Sequence, residues 1–306
     1  MQEKVSTLKA RYANSHPFVK VLQWMGAVVL LTIFALSVLS LLQKRCGWDS
    51  ADINMLKAIQ ALQTVCVFVL PPLVVAYLWT EQPVRWLHLQ KNSCPVTLWF
   101  LVPLSILIAV PGINLLAHLN QQLTLPAFLQ PIEDIMREME QKAEYLTGRF
   151  LQVSTIGGLL LNMFIMAFLP AMGEEMTFRG LLLNALTSRH TTHRATLHLA
   201  VWGVAILFSA VHLQFYGFIP RMLLGAYLGY LLIWTGSMWL PILAHFTNNV
   251  FAVLAYFVAF RCQTDTALLE SIGTGDTLWM GIASLVLSLF LILYIRKIST
   301  TERQSA

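Results

Sequence analysis

Charge is what this chain has least of. Of its 306 residues only 11% are Asp, Glu, Lys or Arg, against roughly a quarter in an ordinary soluble domain. By contrast 57% are hydrophobic and the mean hydropathy is +0.66. A soluble globular class is therefore excluded. The net charge of +5 does not point to nucleic acid, because no Lys/Arg-rich run with interleaved aromatics exists and the basic residues fall mainly between apolar segments. Cys46, Cys66, Cys94 and Cys262 are scattered, with no Cys-x-x-Cys pair, which removes a thiolate zinc site and a disulfide framework. A His-Glu-x-x-His helix is absent, as are internal repeats, low-complexity tracts and Gly/Ser linkers. Acids are missing from the whole stretch between Glu144 and Asp265, except for Glu174 and Glu175. An ionisable side chain at the centre of a bilayer helix costs about 2.5 to 3.5 kcal/mol on insertion scales, so a carboxylate pair kept there marks a functional site.

What is present is a series of apolar runs. A span needs about 20 mostly apolar residues, and that rule gives eight: 20–42, 56–79, 97–119, 150–172, 196–214, 218–235, 238–260 and 276–296. The first run, near Lys4, Lys9, Arg11 and Lys20, is longer than the about 7 to 15 residues of a signal-peptide core, and reads as a retained span. The chain is expected to be an all-α, polytopic integral membrane protein of about eight helices. Its divisions are a cytoplasmic segment 1–19, N-terminal spans and a connection over 20–149, a core over 150–260, and a last span with a cytoplasmic tail over 261–306. Alternating spans from a cytoplasmic N-terminus put 12 of the 20 Lys/Arg inside and 8 outside, which favours cytoplasmic N- and C-termini. Glu174 and Glu175 are then expected near the cytoplasmic face. Leu125 to Gly148 alternates apolar and charged residues, with Ile135, Met139 and Leu146 at near-helical spacing. The pattern predicts an interfacial amphipathic helix, the alternative being a solvated hairpin of short turns.

Three short segments carry polar groups foreign to apolar spans. In Glu174-Glu175-Met-Thr-Phe-Arg179 the i,i+4 relation places Glu175 and Arg179 on one helical face and Glu174 about 100° round the axis. Arg179 would hold Glu175 ionised, leaving Glu174 for proton transfer. Pro170 lacks an N–H and is expected to bend or end the span just before the acids. Phe208-Ser-Ala-Val-His212 closes the fifth span. A lone His at a span end is ordinarily a hydrogen-bonded structural residue, so His212 acquires chemical meaning only with a partner. In His245-Phe-Thr-Asn-Asn249 the same i,i+4 relation stacks His245 and Asn249, with Asn248 turned away. Helix-to-helix hydrogen bonding is the bland alternative. Together the residues form a set able to hydrolyse an amide: Glu174 takes a proton from water that His212 also binds, while His245 and Asn249 donate to the carbonyl oxygen as it becomes negative.

These motifs, Glu-Glu-x-x-x-Arg, Phe-x-x-x-His and His-x-x-x-Asn, resemble those of the CPBP family, the CAAX prenyl proteases of the Rce1 type and bacteriocin-processing proteins. The resemblance covers residues 174 to 249. It implies an eight-helix intramembrane endopeptidase with Glu174, Glu175, His212, His245 and Asn249 as catalytic residues, supported by Arg179 and Phe208. It also implies a peptide or protein substrate, including one lipidated at its C-terminus, met among membrane lipids. The metal question stays open at this point. Members of the family are often called metalloproteases, and Glu174, His212 and His245 could supply the two-His-plus-carboxylate set of a single divalent ion such as zinc, yet a metal-free glutamate mechanism uses every residue named and is preferred. Buried Glu and His also make proton relays, so a proton-coupled transporter is the alternative function, and a catalytically silent scaffold or immunity protein is another. His190, His193 and His198 read as a solvated loop, Asn114 and His118 as packing hydrogen bonds, and Arg221, near Gln214, as snorkelling to the interface.

Overall fold

The computed structural model describes residues 8–47, 52–91, 94–187, 194–265 and 267–305. Within these residues the chain is helical throughout and contains no strand. That follows from the hydropathy: where no water reaches, a helix satisfies its own backbone groups. The main helices are α1 (Pro17–Cys46), α2 (Ile53–Trp79), α3 (Val96–Gln121), α4 (Gln130–Leu151), α5 (Ile156–Thr187), α6 (Arg194–Ala210), α7 (Phe218–Thr235), α8 (Trp239–Cys262) and α9 (Leu278–Ser305). Seven are long and apolar enough to cross a membrane, and α6, with 17 residues, is a shorter apolar helix. A multi-pass bundle of about eight helices results.

The fourth span differs from expectation. Pro170 does not end it: α5 starts at Ile156 and continues 12 residues beyond Glu175, to Thr187. Two π-helical stretches, Met163–Phe168 and Met176–Leu183, flank the short α-helical piece that contains Pro170 and the acids. Widened turns of this kind absorb a missing N–H without stopping the helix. The carboxylates therefore lie about 18 Å from the end of α5 at 1.5 Å per residue, deep in the helix and not at its mouth. Residues 150 and 151, read as the start of that span, close α4.

Prolines elsewhere free carbonyls that other helices bond. Pro72 in α2 has no N–H for the Phe68 carbonyl, and the Thr177 hydroxyl of α5 donates to it at 2.9 Å. Close approach helps, since a Cβ on Gly173 would stand 2.9 Å from the Phe68 and Val69 side chains. In α3, the Ser284 hydroxyl of α9 enters the backbone ladder beside Pro111, accepting from Gly112 N at 3.0 Å and donating to the Ile108 carbonyl at 2.5 Å. These contacts fix α5 on α2 and α3 on α9.

The predicted amphipathic segment is helical as α4, and the hairpin alternative does not hold. Its Glu140 Oε2 accepts from Tyr216 N at 2.9 Å, and Glu133 Oε1 accepts from the Tyr216 hydroxyl at 3.2 Å. The helix is thereby tied to the turn between α6 and α7. His198 belongs to α6, not to a loop, and its Nδ1 lies 2.6 Å from the Tyr230 hydroxyl; His190 and His193 lie outside the described residues. Asn114 donates to the carbonyls of Leu269 and Ile272, and His118 pairs with Gln122, the packing roles expected of them. Cys66 and Cys262 are free thiols.

Candidate active site

The polar residues of three helices meet beneath the turn that follows α6. Glu175 is fully buried, and its Oε1 accepts from Arg179 Nη1 at 2.8 Å, one helical turn on. The same oxygen lies 2.8 Å from His245 Nδ1 of α8. Arg179, also fully buried, sends Nη2 to the Gly225 carbonyl of α7 at 2.7 Å. One ionic group thus pins α5, α7 and α8 together. Two buried charges in such a place are tolerated only when paired and further hydrogen-bonded, and these are both.

Phe208 explains why the second motif begins with an aromatic. Its ring lies under the Arg179 guanidinium at 4.6 Å and meets His212 and His245 edge-on, with centroids at 5.1 and 5.9 Å. Gly225 gives that ring room, since a Cβ there would stand 3.0 Å from it. The phenylalanine is a platform that holds a cation on one side and orients two imidazoles.

Glu174 is the odd member. Its Oε2, like Glu175 Oε2, is buried and has no hydrogen-bond partner in the protein, and among the described residues no other hydrogen bond ties its side chain to a neighbouring helix. It lies 3.8 Å from His212 Nε2 and 3.9 Å from His245 Nε2. The other nitrogen of each ring is engaged: His212 Nδ1 at 2.7 Å from the Phe208 carbonyl, His245 Nδ1 on Glu175. A carbonyl only accepts, so His212 Nδ1 carries the hydrogen and its Nε2 presents a lone pair toward Glu174. Two acceptors held this far apart suit one water that donates to both, since about 2.8 Å on each side spans the gap.

Asn249 stands one turn beyond His245 on α8 and is partly exposed. Asn248 Nδ2 donates to its Oδ1 at 3.1 Å, which occupies the carbonyl of Asn249 and leaves its amide N–H groups to donate. Asn248 was set aside on helix rotation, so this neighbour contact was missed. Arg221, expected to snorkel to the interface, bonds Gln214 Oε1 through Nη2 at 2.7 Å. Its only signal in the sequence was a lone cation opening a span.

As a metal set these groups fit poorly. Ligands of a tetrahedral zinc at about 2.1 Å stand about 3.4 Å apart, closer than the separations at Glu174 Oε2. Among the described residues no group of three or more His, Cys, Asp or Glu side chains is placed to hold an ion.

Residues 156–251 match the family model described as type II CAAX prenyl endopeptidase Rce1-like, a stretch that contains all three motifs. A Bacillus subtilis (strain 168) protein named "Uncharacterized protein YpbD" is 28% identical over 115 residues, 36% of this chain and 54% of that protein. The chain therefore matches about half the length of this curated relative. No solved structure matches it. Residues 156–251 of this integral membrane protein are thus similar to the Rce1-like family of CAAX prenyl endopeptidases.

Proposed function

We propose that the protein is an intramembrane endopeptidase in which Glu174 and His212 activate a water, and Asn249 and His245 stabilise the oxyanion. The observation that carries this reading is the buried Glu174 Oε2, without a protein donor and facing two imidazole Nε2 atoms. Water between Glu174 and His212 donates one hydrogen to each, so its lone pair is left for the carbonyl carbon. As the C–O bond forms, Glu174 takes the proton and the carbonyl electrons move to oxygen. Asn249 Nδ2 and His245 donate to that oxygen, an effect worth about 3 to 4 kcal/mol per donor. Glu174 then gives its proton to the departing nitrogen, the C–N bond breaks, and an acid and an amine leave.

Donation through Nε2 while Nδ1 donates to Glu175 takes both ring hydrogens of His245. Arg179 and Glu175 are positioning residues in this scheme, Phe208 a platform.

The substrate is a peptide segment of a membrane-associated protein, with C-terminal lipidation as the feature to vary first. Access is from the α4 end of the bundle, where His212 and Tyr216 share one turn. With cytoplasmic termini, alternating spans put α4 on the side opposite the N-terminus, so this access would open the site away from the cytoplasmic face expected from the sequence. Thiol labelling of single cysteines at Lys142 and Lys9 in intact cells decides which expectation yields.

The test of the chemistry is cleavage of a verified substrate in proteoliposomes by the wild type, Glu174→Gln and His212→Asn. Equal rates would refute the reading. Stoichiometric zinc in purified protein, with activity lost on chelation, would replace the water-only scheme by a metal one.

A further inference from the structure

A cavity of about 530 Å³ lies away from the catalytic groups, bounded by α1, the end of α2, the last turns of α5 and the middle of α6. Its size falls within the about 300 to 1,000 Å³ of ordinary ligand sites. Trp24, Trp79 and Trp86 line it together with Leu182 and Leu207, and Lys20 is the one cation in its wall. A second space of about 500 Å³ shares Trp79, Thr80 and Trp86 with it and is rimmed by Glu81, Gln82 and Arg85. The result is an apolar well with a polar mouth.

Tryptophans at this level of a bundle ordinarily form an interfacial belt that faces lipid. Here they enclose a space instead. Trp79 is only 7% exposed, meets Trp86 edge-on at 5.8 Å, and donates its N–H to Gln23 at 2.7 Å. The Trp24 indole N–H is buried and has no acceptor in the protein, and leaving a buried donor unpaired is costly. An acceptor atom supplied by a ligand would remove that cost. Lys20 Nζ, fixed by the Ala13 carbonyl at 2.8 Å and lying 5.3 Å from the Trp79 ring centre, is held at the wall and not free to extend into solvent.

Two further observations narrow the ligand. Val21, Leu186 and Leu207, which line the cavity, are also 47%, 59% and 45% exposed, so one side of the well opens through apolar surface to the bilayer. The polar side has Lys20 in its wall and Arg85 on its rim, and the one described acid there, Glu81, is paired with Lys9 at 3.9 Å. A molecule that enters laterally must have an apolar chain, and one that satisfies the mouth must carry negative charge and acceptor oxygens.

We propose that this cavity is a binding site for an anionic glycerophospholipid, one acyl chain seated among Trp24, Trp86, Leu182 and Leu207, and the headgroup phosphate at Lys20 and Arg85. The Trp24 N–H donates to an oxygen of the same headgroup region. Because the site abuts Leu182 on the helix of Arg179 and Leu207 next to Phe208, a bound lipid braces the catalytic helices from behind.

Purified full-length protein in a neutral detergent, titrated with phosphatidylglycerol or phosphatidylcholine, tests this by melting midpoint and by native mass spectrometry of retained lipid. Phosphatidylglycerol is expected to raise the midpoint by on the order of 5 °C near saturation and to remain bound; phosphatidylcholine is not. Lys20→Gln is expected to remove the preference for the anionic lipid, and Trp24→Phe, which keeps the ring and deletes the N–H, to weaken binding. Leu182→Trp fills the well and is expected to abolish retention. Equal stabilisation by the two lipids, or retention of phosphatidylglycerol by both Lys20→Gln and Trp24→Phe at wild-type level, would overturn the proposal even if the filled variant fails to fold.

Discussion

The chain contains two Glu-to-Arg pairs built on the same i,i+4 spacing and nearly the same distance, Glu175–Arg179 at 2.8 Å in α5 and Glu133–Arg137 at 2.9 Å in α4. Their surroundings make them different devices. Around Glu133 every acceptor is used: Oε2 takes Leu125 N–H, and Oε1 takes both Arg137 and the Tyr216 hydroxyl. Arg137 remains half exposed. That pair is a clamp, complete in itself, holding an amphipathic helix to a turn. In α5 neither partner is exposed at all, Glu175 shares one oxygen between Arg179 and His245, and a second carboxylate beside it has a buried oxygen with no donor. The same local motif becomes a site when burial leaves one oxygen of each carboxylate, Glu174 Oε2 and Glu175 Oε2, without a hydrogen-bond partner.

Glu174→Gln offers the sharpest break between the two regions. It keeps the size of the side chain and removes the base, so cleavage is expected to fall by roughly 10² to 10⁴-fold, with the melting midpoint in detergent little changed. Arg179→Met should do the reverse, leaving Glu175 buried without its counter-charge at a cost of about 3 to 5 kcal/mol. The readout is loss of folded protein in size-exclusion chromatography and thermal melts. If Arg179→Met folds as the wild type does, the contrast with the α4 clamp collapses. Glu175→Gln is expected to resemble Arg179→Met and to cost less chemistry per folded molecule than Glu174→Gln, which active-site-normalised rates can separate. Next in size, Asn249→Ala should lower kcat by about 10² to 10³-fold with KM nearly unchanged, whereas a matched rise in KM would make Asn249 a substrate-binding group.

Hydropathy alone located six of the eight apolar helices to within about four residues at each end, because each run had to supply about 20 apolar side chains, while α5 and α9 continue beyond their apolar runs. The extension of α5 past Pro170 was hidden, since π-helical turns leave no compositional mark and are chosen by packing against α2 and α8. Within the site, spacing revealed what lies on one helix: Glu175 with Arg179, His245 with Asn249. It could not reveal contacts across helices. His245 reaching Glu175, Phe208 lying under Arg179, and the Gly225 carbonyl accepting from Arg179 all depend on relative rotation and depth. The amphipathic helix is legible from its charge pattern, but the partners of its acids are not. That Glu133 and Glu140 hold Tyr216 follows only from seeing which turn lies beneath.

The smallest expected effect belongs to that clamp, and pH separates its parts. The Leu125 N–H, with Arg137 and Tyr216, holds the Glu133 carboxyl below the usual carboxylate range. Its contribution is therefore complete above about pH 4.3, the ordinary value for Glu, and is lost as pH falls toward the lower value of the folded protein. Burial moves Glu140 the other way, above that range, so it is protonated first on acidification, while its carbonyl oxygen can still accept from Tyr216 N. Acidification through the ordinary range should thus leave α4 attached, and detachment should set in only at lower pH. Glu133→Gln should loosen α4 already at pH 7, raising hydrogen exchange across Gln130–Leu151 by no more than about fivefold, whereas Glu140→Gln should leave it near wild type. Exchange measured for the three proteins at pH 7 and at acid pH checks this ordering. If Glu140→Gln releases α4 more than Glu133→Gln does, the attachment depends on the buried carboxylate and not on the saturated pair.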